Sequence, residues 1–224
     1  MKQRLFSGSL LMTCLLVSMM SVAQTVGTPQ PTQSMRLEVD GVRTNRYGNI
    51  EVDGSPFLTD NWTPGMAIND KGAEYPLLLK YDIVKDQPIF AGKDSDMMEF
   101  TVPINRFALK QDTYQNGYPA VDEWSKASYY KNIGSGKSKL LKHYYKKRIE
   151  VRDIGGLTGY KYEDNTAFYL FKDSKMTAVK PGKNGILDAL SDKKGEVENF
   201  AKANKLNFKQ DADLAKLMDY YSNL

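Results

Sequence analysis

The stretch YPLLLKYDIVKDQPIFAGKDSDMMEFTVPI, residues 75–104, decides the fold class. Short apolar runs are separated here by two polar breaks, Lys85-Asp86-Gln87 and Gly92-Lys93-Asp94-Ser95. Runs of this length between turn-forming residues read as strands. The spacing predicts strands over residues 77–84, 88–91 and 97–104.

The same reading extends in both directions. Upstream, YGNIEVDG (residues 47–54) alternates Ile50 and Val52 with polar residues and ends on Asp53-Gly54, a strand followed by a turn. Residues 55–72 carry Trp62 and are punctuated by Pro56, Pro64, Gly65 and Gly72, so no strand is assigned there. Downstream, residues 128–134 and 139–151 read as a pair across Gly134-Ser135-Gly136. Residues 157–163, 166–173 and 175–180 follow, with a tight turn at Lys172-Asp173-Ser174-Lys175. Many short antiparallel strands at regular spacing fit a curled sheet, an open barrel or a sandwich.

From Lys183 the apolar period changes from two to between three and four. Ile186, Leu187 and Leu190 form one stripe, Val197, Phe200 and Ala201 a second, and Leu214, Leu217, Met218 and Tyr221 a third. Asp192 stands where an N-cap of the second helix would stand. Three short helices cannot persist alone in water, so Leu187, Leu190, Val197, Phe200, Leu206, Leu214, Leu217 and Tyr221 are expected to dock on the sheet. The expected class is α+β, predominantly antiparallel β, with a C-terminal tail of about three short helices. Residues 47–224 form one domain in this reading, β-rich over 47–181 and helical over 182–224.

Residues 1–23 have a basic start at Lys2 and Arg4, an apolar run and a Ser21-Val22-Ala23 end. That is the pattern of a secretory signal peptide cleaved after Ala23. Cys14, preceded by Thr13 and followed by more apolar residues, leaves with it rather than accepting a lipid. Residues 24–46 read as a flexible leader rich in Thr, Gln and Pro. The mature chain then has no cysteine, which excludes disulfides, a thiolate nucleophile and Cys-based zinc sites. It also has no transmembrane segment, and the expected location is the periplasm, the outer-membrane surface or the medium.

Removal of residues 1–23 leaves 29 basic against 27 acidic side chains. The balance is uneven along the chain: residues 24–125 hold 9 basic and 15 acidic groups, and residues 126–209 hold 19 and 9. Such a basic half either faces an anionic partner or forms the solvated side of strands and helices.

Three stretches carry a resemblance: VDGSPFLTDNW at residues 52–62, GKSKLLKHYYKK at 136–147, and the run from Gly185 to Leu224. Together they resemble an uncharacterised family of exported Bacteroidota envelope proteins, over most of the mature chain. The resemblance implies a Gram-negative envelope or secreted location. It implies no activity, and it carries no catalytic or ligand residues.

Gly134-Ser135-Gly136-Lys137-Ser138 looks like the end of a phosphate-binding loop. The full motif needs a glycine five residues before Gly136, because the wrapped backbone aims successive N–H groups at phosphates. Lys131 stands there instead. The loop should also open a helix, and Leu140, Leu141, Tyr144, Tyr145 and Ile149 do admit a helical period. A cell envelope holds little ATP, so a glycine turn is the expectation, with no nucleotide and no cofactor.

His143 is the one histidine and the only candidate base for a serine triad, yet it sits in a basic run with no nucleophile elbow to serve. A calcium-loop reading of residues 93–99 lacks the glycine and spacing it needs. Asp122 and Glu123 beside Trp124, and Asp60 near Trp62, are the acids a glycan hydrolase would use. Tyrosines interleaved with lysines form the more suggestive pattern. Tyr130, Lys142, Tyr144 and Tyr160 are the candidate ligand face, fitted to an anionic glycan or another envelope protein, with nucleic acid disfavoured. The leading expectation is therefore a non-catalytic binding or structural protein of the bacterial envelope. The alternative is a hydrolase built on Asp60, Asp122 and Glu123.

Overall fold

The computed structural model describes residues 41–43, 52–152 and 158–224, all of which lie in one compact unit. The signal segment, Cys14, the leader and Ile50 lie outside the described residues. The described residues form twelve strands: β1 (Gly41–Arg43), β2 (Val52–Asp53), β3 (Thr63–Asn69), β4 (Glu74–Asp82), β5 (Gln87–Ala91), β6 (Met97–Phe100), β7 (Ile104–Leu109), β8 (Asp112–Gln115), β9 (Tyr130–Ile133), β10 (Lys139–Arg152), β11 (Thr158–Lys172) and β12 (Lys175–Val179). Among the described residues they form a single sheet in the order β1-β6-β5-β4-β3-β7-β8-β9-β10-β11-β12, with β2 parallel to β11 beside this path. Antiparallel pairs make up the rest, and the path is open at β1 and β12. Of the architectures expected, the curled open sheet is the one formed.

The curl brings the turn after β4 against β10. Lys146 donates its amide to the Ile83 carbonyl at 3.3 Å and its ammonium to the Ser55 carbonyl at 2.7 Å. Inside the curl, Phe107 stacks on Tyr114 at 4.9 Å and meets Tyr81 and Tyr129 edge-on at 5.1 Å each. Edge-to-face and offset pairs of this kind add to the burial itself, by about 0.5–1.5 kcal/mol each.

Within residues 75–104 the breaks fall where expected, but β4 begins earlier, at Glu74, and two further boundaries move. Ile83 and Val84 belong to the turn, because Asp86 adopts a left-handed φ of 55° and folds its carboxylate back to accept from Tyr81 Oη and the Tyr129 amide. The third expected strand divides at residues 101–103 into the end of β6 and the start of β7. Strand β3 was hidden by Pro64 and Gly65. Pro64 lies beyond the β7 ladder, which begins at Gly65↔Leu109, so its missing N–H breaks no bond on that side. A Cβ on Gly65 would strike the Ala108 carbonyl and come within 2.9 Å of Leu79, so only glycine allows β3 and β7 to approach.

The β9–β10 and β11–β12 hairpins form as expected, the latter across Lys172↔Lys175 with Asp173 and Ser174 both at positive φ, the geometry of a tight primed turn. Helices α1 (Lys183–Ala189), α2 (Lys194–Ala203) and α3 (Asp211–Tyr221) follow. Their apolar stripes bury Leu187, Val197, Leu214 and Leu217 against Ile133, Leu140, Leu170 and Val179 on β9 to β12. Phe200 and Leu206 are only half-buried, and Phe200 stacks on Tyr220 at 4.0 Å near the surface. Asp192 does not cap α2. It lies in a single 3-10 turn, and its carboxylate accepts from Lys172 at 2.6 Å and Tyr221 at 2.9 Å. A charge-assisted bond to the sheet wins over a bond to the neighbouring helix N–H groups.

Candidate functional site

Register assigns the candidate residues to faces. Because side chains alternate along a strand, the pairs Lys142↔Phe168, Tyr144↔Thr166, Arg148↔Tyr162 and Glu150↔Tyr160 place Lys142, Tyr144 and Tyr160 on one face of the β10–β11 ribbon. Cations cover its rings: Lys142 Nζ lies 5.0 Å from the Tyr144 centroid and 5.6 Å from Phe168, and Arg148 lies 4.8 Å from Tyr160. Tyr130 is not part of this face. It is fully buried on the opposite side, edge-on to Tyr118 and Tyr169, because β9 starts at Tyr130 beneath the connection from β8.

Lys142 is also a structural anchor. It bonds Asp211 at 3.2 Å, while Lys131 bonds Asp211 and Asp112 at 2.7 Å each. Burial works to raise the Asp211 pKa, but the Lys131 and Lys142 ammonium groups outweigh it and hold the carboxyl below its ordinary value. Asp211 opens α3, so this cluster ties the helix to β9 and β10.

The glycine loop between β9 and β10 is closed by the same helix. Ser135 donates its amide and hydroxyl to Asp219, and Ser222 donates to the Ser138 carbonyl at 3.2 Å. A carboxylate thus occupies the donors that a phosphate would need.

His143 is fully buried on β10. Its Nδ1 pairs with the Tyr129 carbonyl at 2.8 Å, and its ring packs 4.1 Å from Trp124 and 5.3 Å from Tyr130. Behind it lies Asp86, whose pKa is raised by burial in spite of the opposing pull of His143 and the bond from Tyr81. Neither His143 Nε2 nor Tyr130 Oη has a hydrogen-bond partner among the described residues. From the sequence His143 reads as a surface or strand-face residue of a basic run; the signal for its burial is the face it shares with Leu141. Asp86 gave no signal beyond its place in a turn.

The three candidate acids sit in different settings. Asp122 lies in the turn between Val121 and Trp124 at φ 49° and accepts from Tyr169 Oη at 3.0 Å. That bond, with burial as the larger cause, pushes the Tyr169 phenol up. Glu123, beside it, is exposed. Asp60 is exposed ahead of β3, between Phe57 and Trp62 in sequence, whose rings each lie 4.8 Å from Lys80 Nζ. Among the described residues, no three His, Cys, Asp or Glu side chains are grouped to hold a metal, and no helix is long and apolar enough to cross a membrane.

The chain matches no family model, and neither a curated protein nor a solved structure is similar to it.

Proposed function

We propose that this chain is an exported, non-catalytic binding or structural protein of a bacterial cell envelope, acting in the periplasm, at the outer membrane or outside the cell. One observation carries the reading. Strand β9 pairs with β10 only as far as Lys142, and β12 pairs with β11 only from Phe168, so among the described residues the ribbon beyond them is flanked by β2 alone and projects as an arm with exposed Lys147, Arg148, Arg152 and Lys161. The arm is a surface for a partner, whereas the glycine loop, the buried His143 and Asp122 are each engaged by other residues of the fold. The N-terminal signal pattern supports export.

The experiment expresses the full chain with a photo-crosslinking residue at Arg148 or, as control, at Lys202 on α2. Fractionation should recover a chain starting at Gln24 in the envelope or medium, with a crosslinked species from position 148 only. A cytosolic chain retaining residue 1, or no adduct at 148, contradicts the proposal.

A further inference from the structure

Among the described residues the arm has an open hydrogen-bonding edge along β10, and its direction follows from one bond. In an antiparallel pair, residues alternate between those that exchange both backbone bonds with the residue opposite and those that point both groups away. Lys146, which stands opposite Asp164 on β11, sends its amide to Ile83, away from β11. Arg148, Glu150 and Arg152 share its parity, so their N–H and C=O groups point to the same outer edge. Among the described residues, no strand pairs with β10 on that edge beyond Lys142.

Side chains along this edge select what can pair with it. Lys147, Arg148, Glu150 and Arg152 are all exposed, while Ile149 and Val151 between them are half-buried. Glu150 faces Arg152 at 3.8 Å, whereas among the described residues Lys147 and Arg148 form no ion pair. Cations along an edge strand repel a second copy of the same edge. They favour an acidic strand, whose carboxylates would meet them while its backbone continues the ladder. On the β11 side the ribbon is already flanked by β2 at Tyr160 and Lys161, so among the described residues the free ladder edge is the one on β10.

We infer that the arm binds by strand addition: an extended acidic segment of another envelope protein pairs with β10 along Arg148 to Arg152. This rests on the proposed function and names the class of partner. An anionic glycan is the competing occupant. It would use the cations but would not need the backbone edge.

The test uses the chain from Gln24 to Leu224 with three probes: a peptide of alternating glutamate and valine, its lysine–valine counterpart, and polygalacturonate. The acidic peptide should bind, and the basic peptide should bind at least tenfold more weakly. Glu150→Pro removes one outward N–H that β11 does not use, and it should weaken peptide binding at least tenfold while leaving the thermal midpoint near that of the parent. Should the proline variant lose the arm, the double variant Lys147→Glu, Arg148→Glu decides, and it should reverse the preference toward the basic peptide. Equal binding of both peptides, or unchanged affinity in both variants, overturns the inference. So does binding of polygalacturonate without peptide binding. A chain that is exported and crosslinks at position 148, yet fails these tests, leaves the broader reading standing.

Discussion

Ser135 donates twice to one carboxylate oxygen of Asp219, from its amide at 2.6 Å and from its hydroxyl at 2.9 Å. The relationship joins the most nucleotide-like sequence in the chain to the last turns of α3. It turns a candidate ligand site into the clasp that holds the helical layer to the sheet.

ATP should accordingly show no saturable binding, and Lys137→Ala should change neither that result nor stability by more than about 0.5 kcal/mol, as for most surface substitutions. Asp219→Ala should cost more, roughly 1–3 kcal/mol, because it removes a charged acceptor of two bonds. Calorimetry with MgATP and urea unfolding check the two halves. Binding lost in Lys137→Ala would reverse the assignment.

Gly134 should resist substitution for two separate reasons. Its φ is +89°, and a Cβ would come within 2.7 Å of Met218 Cβ on α3. Gly134→Ala therefore strains the backbone and pushes the helix outward, at a cost of about 1–3 kcal/mol. Gly72, also at positive φ but with open space around it, serves as the control. If the two alanine variants have equal melting temperatures, the close approach of α3 carries no weight.

Burial ranks the apolar residues of the helices differently from sequence period. Leu217 is 1% exposed in the layer between helices and sheet, and Leu217→Ala should cost about 2–5 kcal/mol. Phe200 belongs to the apolar stripe of α2 but is half-buried and stacks on Tyr220 at the rim, so Phe200→Ala should cost less. Urea midpoints of the two variants compare them directly. A larger loss for Phe200→Ala would contradict the packing described.

These cases mark what was legible in the sequence. The alternation of β9 to β12 and the three helical stripes were readable, because each element follows one period and one turn chemistry. Strand β3 was not. Pro64 and Gly65 are local breakers, and their tolerance depends on where the β7 ladder begins, which is set far away in sequence. Tyr130 and Tyr144 look alike in sequence, and only the start of β9 beneath the preceding connection separates a buried ring from a half-exposed one. Asp192 failed as a cap because its partner, Lys172, lies on another element.

The Lys131–Asp211–Lys142 cluster gives a pH dependence with a defined sign. The folded pKa of Asp211 is depressed, so its contribution is present above the ordinary carboxylate value of about 3.9 and is lost as pH falls through the folded value. Asp211→Asn should cost roughly 1–3 kcal/mol at neutral pH. That gap should close in acid, below about pH 4. Stability curves of the two proteins between neutral and acid pH decide it. A gap that is constant or widens in acid would show that the ion pairs do not hold α3.

Residue-resolved amide exchange by NMR reads the open edge of the projecting arm directly. The amides of Lys147, Ile149 and Val151 point toward β11 and should be protected, while those of Arg148, Glu150 and Arg152 should exchange near the rate of open chain. Alternating protection along β10 is the predicted result. Uniform protection across residues 147–152 would mean that the edge is already covered, and uniform fast exchange would mean that the arm does not form.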